Sequence, residues 1–502
     1  MLSMVAACSS STPPVATDQQ VATTPASGLP GQPAAIAPAG AGSFATGTPS
    51  VSASAASGAA SAREPAGTDA SATGVTEFPT NGMVPTQVTE EEPQSPPPAR
   101  SLDSCEVTAD GTDPCACGKV PVPCEDGSAG PHACKGMTLL SQMLPEDFGA
   151  QTGNDVWGYV DPDSGREVAV VGLNNGTAFV DVTHPVCPEL LGKLDSGVRA
   201  TLTRDVKVFK NYALVVAEAS NAGMQVFDLN NLFADDSSGE LQVLATYRGD
   251  GRQTVSRAHN LAVVDGSDFV YIVASASCGG GLHIVNMEDP AAPSFAGCYD
   301  EGRPMHDAQC VIYAGPDADH TGKEICVTSN GGDSFSIVDM SDKSSPTRLG
   351  RVTYEGAAYS HQGWLTEDHR YFLLGDELDE MRRRSDTKTF IFDVSDLDNP
   401  TFVKAYQSHW VATDHNLYIH DGRVFEANYT MGVRVLDVGR VASGELEEVA
   451  YFDTFPEYDT NEMNGAWTAY PYLPSGLVVV NGMNGFFLLQ LDDAGAMMPA
   501  AQ

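Results

Sequence analysis

Four histidines recur at nearly regular intervals, and they are the residues of this chain that are best suited to chemistry. They are His259, His306, His361 and His415. Each is followed directly by a polar residue, in chain order Asn260, Asp307, Gln362 and Asn416. Neutral imidazole nitrogens are good ligands for transition metals, so four histidines brought to one place could form a metal site.

Carboxylates recur at a second position and could complete such a site. These acidic residues, at the ends of other apolar runs, are Glu218, Asp376, Glu377 and Glu426. Asp155 and Asp205 match the position of Asn260 in two earlier repeats. The cofactor that this set favours is a divalent metal, either calcium or a transition metal. A metal with an open coordination position could activate water for hydrolysis.

A structural explanation of the same pattern stays open beside the metal site. A repeat protein reuses one device in every copy, and each histidine could tie its repeat to the next through a hydrogen bond to a backbone carbonyl or a neighbouring Asp. The recurrence shows that the position is constrained, but both interpretations explain it.

The elements that carry these residues form a long repeat. Apolar runs that end in Asp or Asn occupy residues 178–185, 225–231, 282–290, 335–342, 390–400, 433–439 and 486–493. Their β-branched and aromatic residues indicate strands, and the acidic or amide ending indicates a turn. Two further apolar runs precede each of them, and in four of the seven copies the first of the two opens with the histidine and polar residue described above.

Seven copies of about 45 to 55 residues, all strand and turn, predict an all-β fold that is a seven-bladed β-propeller over residues 137–493. Fourth strands are visible at residues 189–194, 294–300 and 347–352. The seventh copy lacks its fourth strand, and MTLLSQM at 137–143 is predicted to supply it and close the ring. The first strand of each blade lines the channel, so the histidines are predicted at the channel rim. The same holds for the polar residues at the next position of each repeat, which are Asp155, Asp205, Asn260, Asp307, Gln362 and Asn416.

Eleven cysteines predict an oxidising compartment. The spacing favours three local disulfides, Cys124 with Cys134, Cys278 with Cys298, and Cys310 with Cys326. The partners of Cys105, Cys115, Cys117 and Cys187 stay open. Residues 101–136 are predicted to form a small disulfide-rich cap.

The segment before the cap differs in composition. Residues 1–8 end in Val-Ala-Ala-Cys, which resembles a bacterial lipoprotein cleavage box, so we expect a lipid on Cys8. Residues 9–100 are rich in Ala, Ser, Thr and Pro and are predicted to be a disordered tether. Residues 494–502 form a short tail.

The net charge of −39 excludes some partners. Only seven of the 66 acidic residues precede position 101, so the predicted folded part carries nearly all of the charge. Such a field repels nucleic acid and anionic membrane surfaces. Contact with a membrane is therefore expected only through the lipid anchor.

Three stretches resemble the choice-of-anchor B family, whose repeats are called LVIVD repeats. They are residues 124–136, 154–185 and 306–330, and the similarity extends over about residues 120–493. The resemblance implies a bacterial surface or secreted protein. It implies no defined biochemical activity.

We therefore expect a monomeric, lipid-anchored propeller of the bacterial cell envelope, exposed at the surface or secreted. Its expected role is binding, with a surface protein, a glycan or an ion as the partner. The alternatives are a metal-dependent hydrolase with its site at the channel mouth and a purely structural envelope protein.

Overall fold

Seven antiparallel sheets follow one another along the chain and form the seven blades of a β-propeller, as predicted; six have four strands, and the sixth blade has its four strands extended by a hairpin to six. The computed structural model describes residues 117–233 and 241–492. Cys8, the predicted tether 9–100 and the tail 494–502 lie outside these residues.

Each blade has the same strand order from the channel outwards. The innermost strands, which contact one another around the channel in chain order and finally last with first, are Gly153–Val160, Arg204–Phe209, Asn260–Val263, Asp307–Ile312, Ser360–Leu365, Leu417–His420 and Ala466–Tyr470. The second strands are Glu167–Leu173, Tyr212–Ala217, Phe269–Val273, Glu324–Ser329, Tyr371–Asp376, Arg423–Ala427 and Leu477–Gly482.

The outer half of each blade holds the apolar repeat and the edge strand. The third strands are Gly176–Asp181, Met224–Asp228, Leu282–Asn286, Ser334–Asp339, Lys388–Asp393, Val433–Asp437 and Gly485–Leu491. The fourth strands, with that of blade 7 given last, are Glu189–Asp195, Ala245–Tyr247, Ser294–Tyr299, Thr347–Thr353, Thr401–Gln407, Glu447–Phe452 and Met137–Met143.

Helical turns are short in the described part of the chain. One α-helix spans Asp379–Arg383, and 3-10 turns span Pro145–Phe148, Leu229–Phe233, Cys278–Gly280 and Val441–Ser443.

The hydrophobic core lies between the blades. Seven clusters of buried apolar side chains each join two neighbouring blades. Successive side chains of a strand point to opposite faces, so Val170 packs towards blade 2 while Val171 packs towards blade 7. Both faces of a blade are thus covered, which explains the continuous apolar runs of the second strands.

The ring closes with a strand from the other end of the fold. Met137–Met143 pairs antiparallel with Gly485–Leu491 and forms the outer edge of blade 7, as predicted. Leu140 of this strand is 2% exposed and packs between blades 7 and 1. The closing strand therefore contributes to the core as well as to the sheet.

The described part of the predicted cap extends a blade. A hairpin of Ser128–Ala129 and His132–Lys135 pairs with Glu447–Phe452, the outer strand of blade 6. His132 contributes a 2.8 Å hydrogen bond between its Nδ1 and the carbonyl oxygen of Asp453. This edge of blade 6 is thereby covered rather than exposed.

Four disulfides are present in the described residues. Three are the predicted pairs Cys124–Cys134, Cys278–Cys298 and Cys310–Cys326. The fourth, Cys117–Cys187, joins two of the cysteines whose pairing the sequence left open. These bonds indicate an oxidising, extracellular environment. No helix among the described residues is long and apolar enough to cross a membrane.

Leu140→Ala should test the ring closure. We expect it to lower the free energy of unfolding by about 2–5 kcal/mol because it leaves a cavity between blades 7 and 1. Leu190→Ala in the outer strand of blade 1 is the matched control, since that leucine is 39% exposed. The control should cost less than about 1 kcal/mol. Denaturant unfolding measures both, and equal small losses would show that the closing strand is dispensable.

Candidate functional site

The four recurring histidines form a row at one end of the channel. Each lies at the start of its inner strand or just before it, so the blade repeat brings them side by side. Ring centroids of neighbours in the row, His259 to His306 to His361 to His415, are 4.4, 4.3 and 4.6 Å apart. The structure thus brings together all four histidines that the sequence singled out.

Two histidines of the row tie neighbouring blades together. Nδ1 of His306 lies 3.0 Å from the carbonyl oxygen of His361, and Nδ1 of His415 lies 2.6 Å from that of Trp467. A carbonyl oxygen can only accept, so Nδ1 carries the proton and Nε2 keeps its lone pair. Metal-binding histidines are commonly held in this way through the other ring nitrogen. The tie and a metal site are therefore compatible.

Glu377 lies between the Nε2 atoms of His361 and His415. Its Oε2 is 3.7 Å from Nε2 of His361, and its Oε1 is 3.8 Å from Nε2 of His415. Both distances exceed those of a hydrogen bond. Its partner is the Tyr429 hydroxyl, which donates to Oε1 at 2.8 Å. Nδ1 of His361 makes no hydrogen bond among the described residues. Two imidazoles and one carboxylate thus converge and could hold one ion.

Burial sets the charge of this group. It lowers the pKa of His306 and His361 well below the usual value and that of His415 to about 3. It raises the pKa of Glu377 to about 6. At pH 7 the imidazoles are therefore neutral, which is the form that binds metal, and most of Glu377 is ionised.

His259 and Glu218 form a separate pair at the more exposed end of the row. Nδ1 of His259 lies 3.2 Å from Oε1 of Glu218, and the Thr203 hydroxyl donates to Oε2 at 3.2 Å. The hydrogen bond from His259 lowers the pKa of Glu218. This pair flanks the group formed by His361, His415 and Glu377.

Two of the expected carboxylates lie elsewhere, which corrects the sequence expectation. Asp376 accepts hydrogen bonds from the Tyr354 hydroxyl and from the backbone amides of Ala358 and Tyr359. Glu426 accepts from the Thr389 hydroxyl of blade 5. Asp376 is the last residue of the second strand of blade 5 and Glu377 begins the turn after it, and of these two adjacent residues Glu377 is the one that reaches the histidines.

Five of the six residues expected at the rim next to the histidines, together with Gln309, form a ring of hydrogen bonds between inner strands. The backbone N–H groups of Val206, Leu261 and Leu365 donate to the side chains of Asp155, Asp205 and Gln309, respectively. The side-chain amide of Gln362 accepts from the N–H of Leu417 and donates to its carbonyl oxygen. The side-chain amides of Asn260 and Asn416 donate to the carbonyl oxygen of His306 and to the Thr468 hydroxyl, respectively. The Thr468 hydroxyl donates to Asp155 at 2.7 Å and closes the ring. These side chains link neighbouring blades, a role that the sequence suggested only for the histidines.

One ionic bridge lies within this ring. Nζ of Lys207 is 2.6 Å from Asp205 and 3.1 Å from Asp155. Burial opposes the charge of the lysine, but the two carboxylates hold its pKa above the ordinary value. Asp155 also keeps a low pKa despite its burial, because Lys207, Thr468 and Val206 all favour its charged form.

Asp307 departs from the pattern of its neighbours. Its side chain accepts a hydrogen bond from the amide of Ala308 in its own strand, and the tie to blade 5 comes from Gln309 instead. Burial raises the pKa of Asp307 to about 7. The carboxyl group is thus left to line the channel.

A cavity of about 1,220 Å³ occupies the channel on the side of the ring away from the histidines. Lys207, Asp307 and Gln362 contribute polar groups to it. Its aromatic lining includes Trp157, Trp364, Tyr418, Tyr470 and Tyr472. The sequence patterns described above did not predict this cavity. A signal for it exists, since Trp364 and Tyr418 each stand three residues after a histidine of the row.

Comparison with known proteins supports the repeat assignment. The family model of the LVIVD repeat matches residues 325–354, which lie in blade 4, so the chain contains an LVIVD repeat. No curated protein matches the chain.

Three solved structures resemble the chain. A chain in the crystal structure of the mitotic checkpoint complex is 12% identical with a TM-score of 0.43, and the match covers 65% of this chain and 88% of that chain. A functionally unknown protein from Desulfotomaculum acetoxidans DSM 771 is 12% identical with a TM-score of 0.44, and the match covers 63% of this chain and 90% of that chain. U3-55K is 11% identical with a TM-score of 0.46, and the match covers 71% of this chain and 98% of that chain.

Gln362→Ala should weaken the ring between blades 5 and 6. The change removes two hydrogen bonds and leaves the buried N–H and C=O of Leu417 without these partners. We expect the free energy of unfolding to fall by about 2–4 kcal/mol in denaturant titrations. Gln142→Ala, in the outer strand of blade 7, should change it by less than about 1 kcal/mol. If Gln362→Ala lowered the free energy of unfolding no more than the control, the ring would not stabilise the arrangement of the inner strands.

Proposed function

We propose that this protein is an extracellular binding propeller whose rim binds one transition-metal ion through His361, His415 and Glu377. The observation that supports this is the position of Glu377, whose two oxygens lie 3.7 and 3.8 Å from the two Nε2 atoms without a hydrogen bond to either. Ligand atoms around a tetrahedral zinc lie about 3.3 Å apart, and the three ligand atoms here lie within 4.8 Å of one another, so the group would contract around a bound ion.

The donor set favours zinc or copper over calcium at this place. Imidazole nitrogen is a preferred ligand of both transition metals, whereas calcium takes oxygen ligands. The carbonyl of Trp467, which fixes Nδ1 of His415, supplies the outer support that such a ligand needs. His306 stands next to His361 in the row and is the nearest further imidazole.

The ligand count supports a second candidate, a metal-dependent hydrolase. Two imidazoles and one carboxylate with an open fourth position are the donors of many catalytic zinc sites, where the metal lowers the pKa of bound water. Hydrolysis of activated esters by the zinc-loaded protein, lost in Glu377→Gln, would favour the enzyme. Stoichiometric zinc without any turnover would favour binding alone, and no metal at all would leave the structural role of the histidine ties.

The cellular setting belongs to the same proposal. The resemblance to the choice-of-anchor B family and the cleavage-box pattern before Cys8 support a monomeric protein that is lipid-anchored in the bacterial envelope and exposed to the outside. The disulfides agree with that compartment. A surface protein or a glycan is the expected macromolecular partner, and the acidic surface disfavours nucleic acid.

Elemental analysis tests the metal site. Protein purified without chelator and without an affinity nickel step should carry about one equivalent of zinc or copper. Glu377→Gln keeps the size of the side chain and its Tyr429 partner but removes the charge, so the metal content should fall at least about tenfold.

Glu426→Gln is the matched control for this experiment. It changes a buried glutamate at the corresponding strand end of blade 6, away from the histidines, and should retain the metal. Wild-type protein that contains no transition metal and takes up none from one equivalent of added zinc would refute the site.

The aromatic cavity supports a further binding role for the propeller. Aromatic faces can stack on the apolar faces of sugar rings, while Asp307, Gln362 and Lys207 offer hydrogen bonds to hydroxyl groups. We propose a soluble oligosaccharide as the ligand class, which agrees with the expected glycan partner.

Tryptophan fluorescence tests the cavity, because two of the four tryptophans line it. A panel of soluble oligosaccharides should include at least one that quenches the emission in a saturable way. Trp364→Ala should then weaken binding at least about tenfold, equivalent to about 1.4 kcal/mol. Trp410→Ala is the control, since Trp410 packs against Arg434 outside the cavity. The proposal is abandoned if no member of the panel binds.

A further inference from the structure

Three acidic side chains meet in the interior beside the histidine row. Asp379 and Glu380 follow the second strand of blade 5, and Asp414 lies in the segment that leads into blade 6. One carboxylate oxygen from each lies within 4.8 Å of the others. Asp379 and Glu380 are 1% exposed, and Asp414 is 6% exposed. Like charges this close in a dry interior repel strongly unless something compensates them.

Most oxygens of this group lack a donor. Both Oε atoms of Glu380, Oδ1 of Asp379 and Oδ1 of Asp414 accept no hydrogen bond among the described residues. Leaving a buried carboxylate unpaired is costly. The neighbouring Asp376 receives three donors, so the fold supplies partners to buried carboxylates where it uses them structurally.

Among the described residues, one basic side chain forms an ion pair with this group. Nζ of Lys388 lies 2.7 Å from Oδ2 of Asp379, an oxygen that is not among the unpaired ones. One lysine against three carboxylates leaves a formal charge of −2, which one divalent cation would neutralise. Gly375 adds to the fit, because a Cβ there would lie 2.3 Å from Oδ2 of Asp414. Only glycine lets this carboxylate sit so close to the strand.

We propose that Asp379, Glu380 and Asp414 bind a calcium ion. An all-oxygen, anionic donor set selects a hard cation. Calcium accepts irregular arrangements of protein oxygens, whereas magnesium demands near-ideal octahedral geometry at shorter distances, which carboxylate oxygens up to 4.8 Å apart do not offer. This site is distinct from the transition-metal site in residues and in ligand chemistry.

A proton shared between these carboxyl groups is the alternative to a bound calcium ion. Burial raises the pKa of Glu380 and of Asp414, and their neighbouring carboxylates add to the effect. Protonated carboxyl groups could then donate to one another. The two occupants are separable, because only calcium makes stability depend on the concentration of a divalent ion.

The proposed calcium site lies next to the ligands of the proposed transition-metal site. Glu377 lies three residues before Glu380, and Asp414 directly precedes His415. Calcium would therefore link the two segments that carry Glu377 and His415 and hold these ligands in place. The calcium site rests on its own contacts and survives if the transition-metal proposal fails.

Thermal unfolding of the chelator-treated full-length chain tests the calcium site. Addition of 5 mM CaCl₂ should raise Tm by about 3–5 °C, with a midpoint below about 1 mM, and MgCl₂ should raise it less. Glu380→Gln should abolish the calcium response, because it removes the charge of one of the three proposed ligands. Glu367→Gln is the control, as Glu367 belongs to an exposed acidic group, and it should keep the full response.

The wild-type titration decides the matter even if a variant fails to fold. A wild-type Tm that calcium does not change would overturn the proposal. If Glu380→Gln were then as stable as the wild type, a shared proton would be the occupant. An equal response in Glu380→Gln and the wild type would place the calcium elsewhere, and it would refute this site.

Discussion

The ring of side-chain hydrogen bonds between the seven inner strands is the constraint on which the rest of the structure depends. Inner strands of neighbouring blades belong to different sheets, so no β-ladder joins them. Asp155 has the central place, because it accepts from Thr468 of blade 7 and from Val206 of blade 2. The first and last blades are thus joined at the channel by this side chain and at the outer edge by the strand Met137–Met143.

This ring also divides the channel into two chemically different ends. On one side stand the four imidazoles, and two of them, His306 and His415, are held through Nδ1 by carbonyls of the next blade. On the other side the strands continue into an aromatic cavity whose polar groups include Lys207 and Asp307. One periodic device, a polar residue at the start of each inner strand, therefore holds the blades and separates two candidate sites.

Charge accumulates at the histidine end in a way that suits cations. Neutral imidazoles add no positive charge, and Glu377, Asp379, Glu380 and Asp414 bring four buried carboxyl groups to the region where blades 5 and 6 meet. Lys388 compensates only one of them. A soft-donor site and a hard-donor site beside each other would let two different ions stabilise the same junction.

The sequence by itself determined the architecture, the three local disulfides, the closing strand and the gathering of four histidines, because each follows from periodicity or short separation along the chain. It could not decide which carboxylates join the histidines. Asp376 and Glu377 are neighbours in sequence, and only the direction of each side chain from the backbone separates a tied residue from a candidate ligand. Nor could it reveal the meeting of Asp379 and Glu380 with Asp414 or the aromatic cavity. Those groupings arise from contacts between blades, and the tertiary structure alone sets such distances.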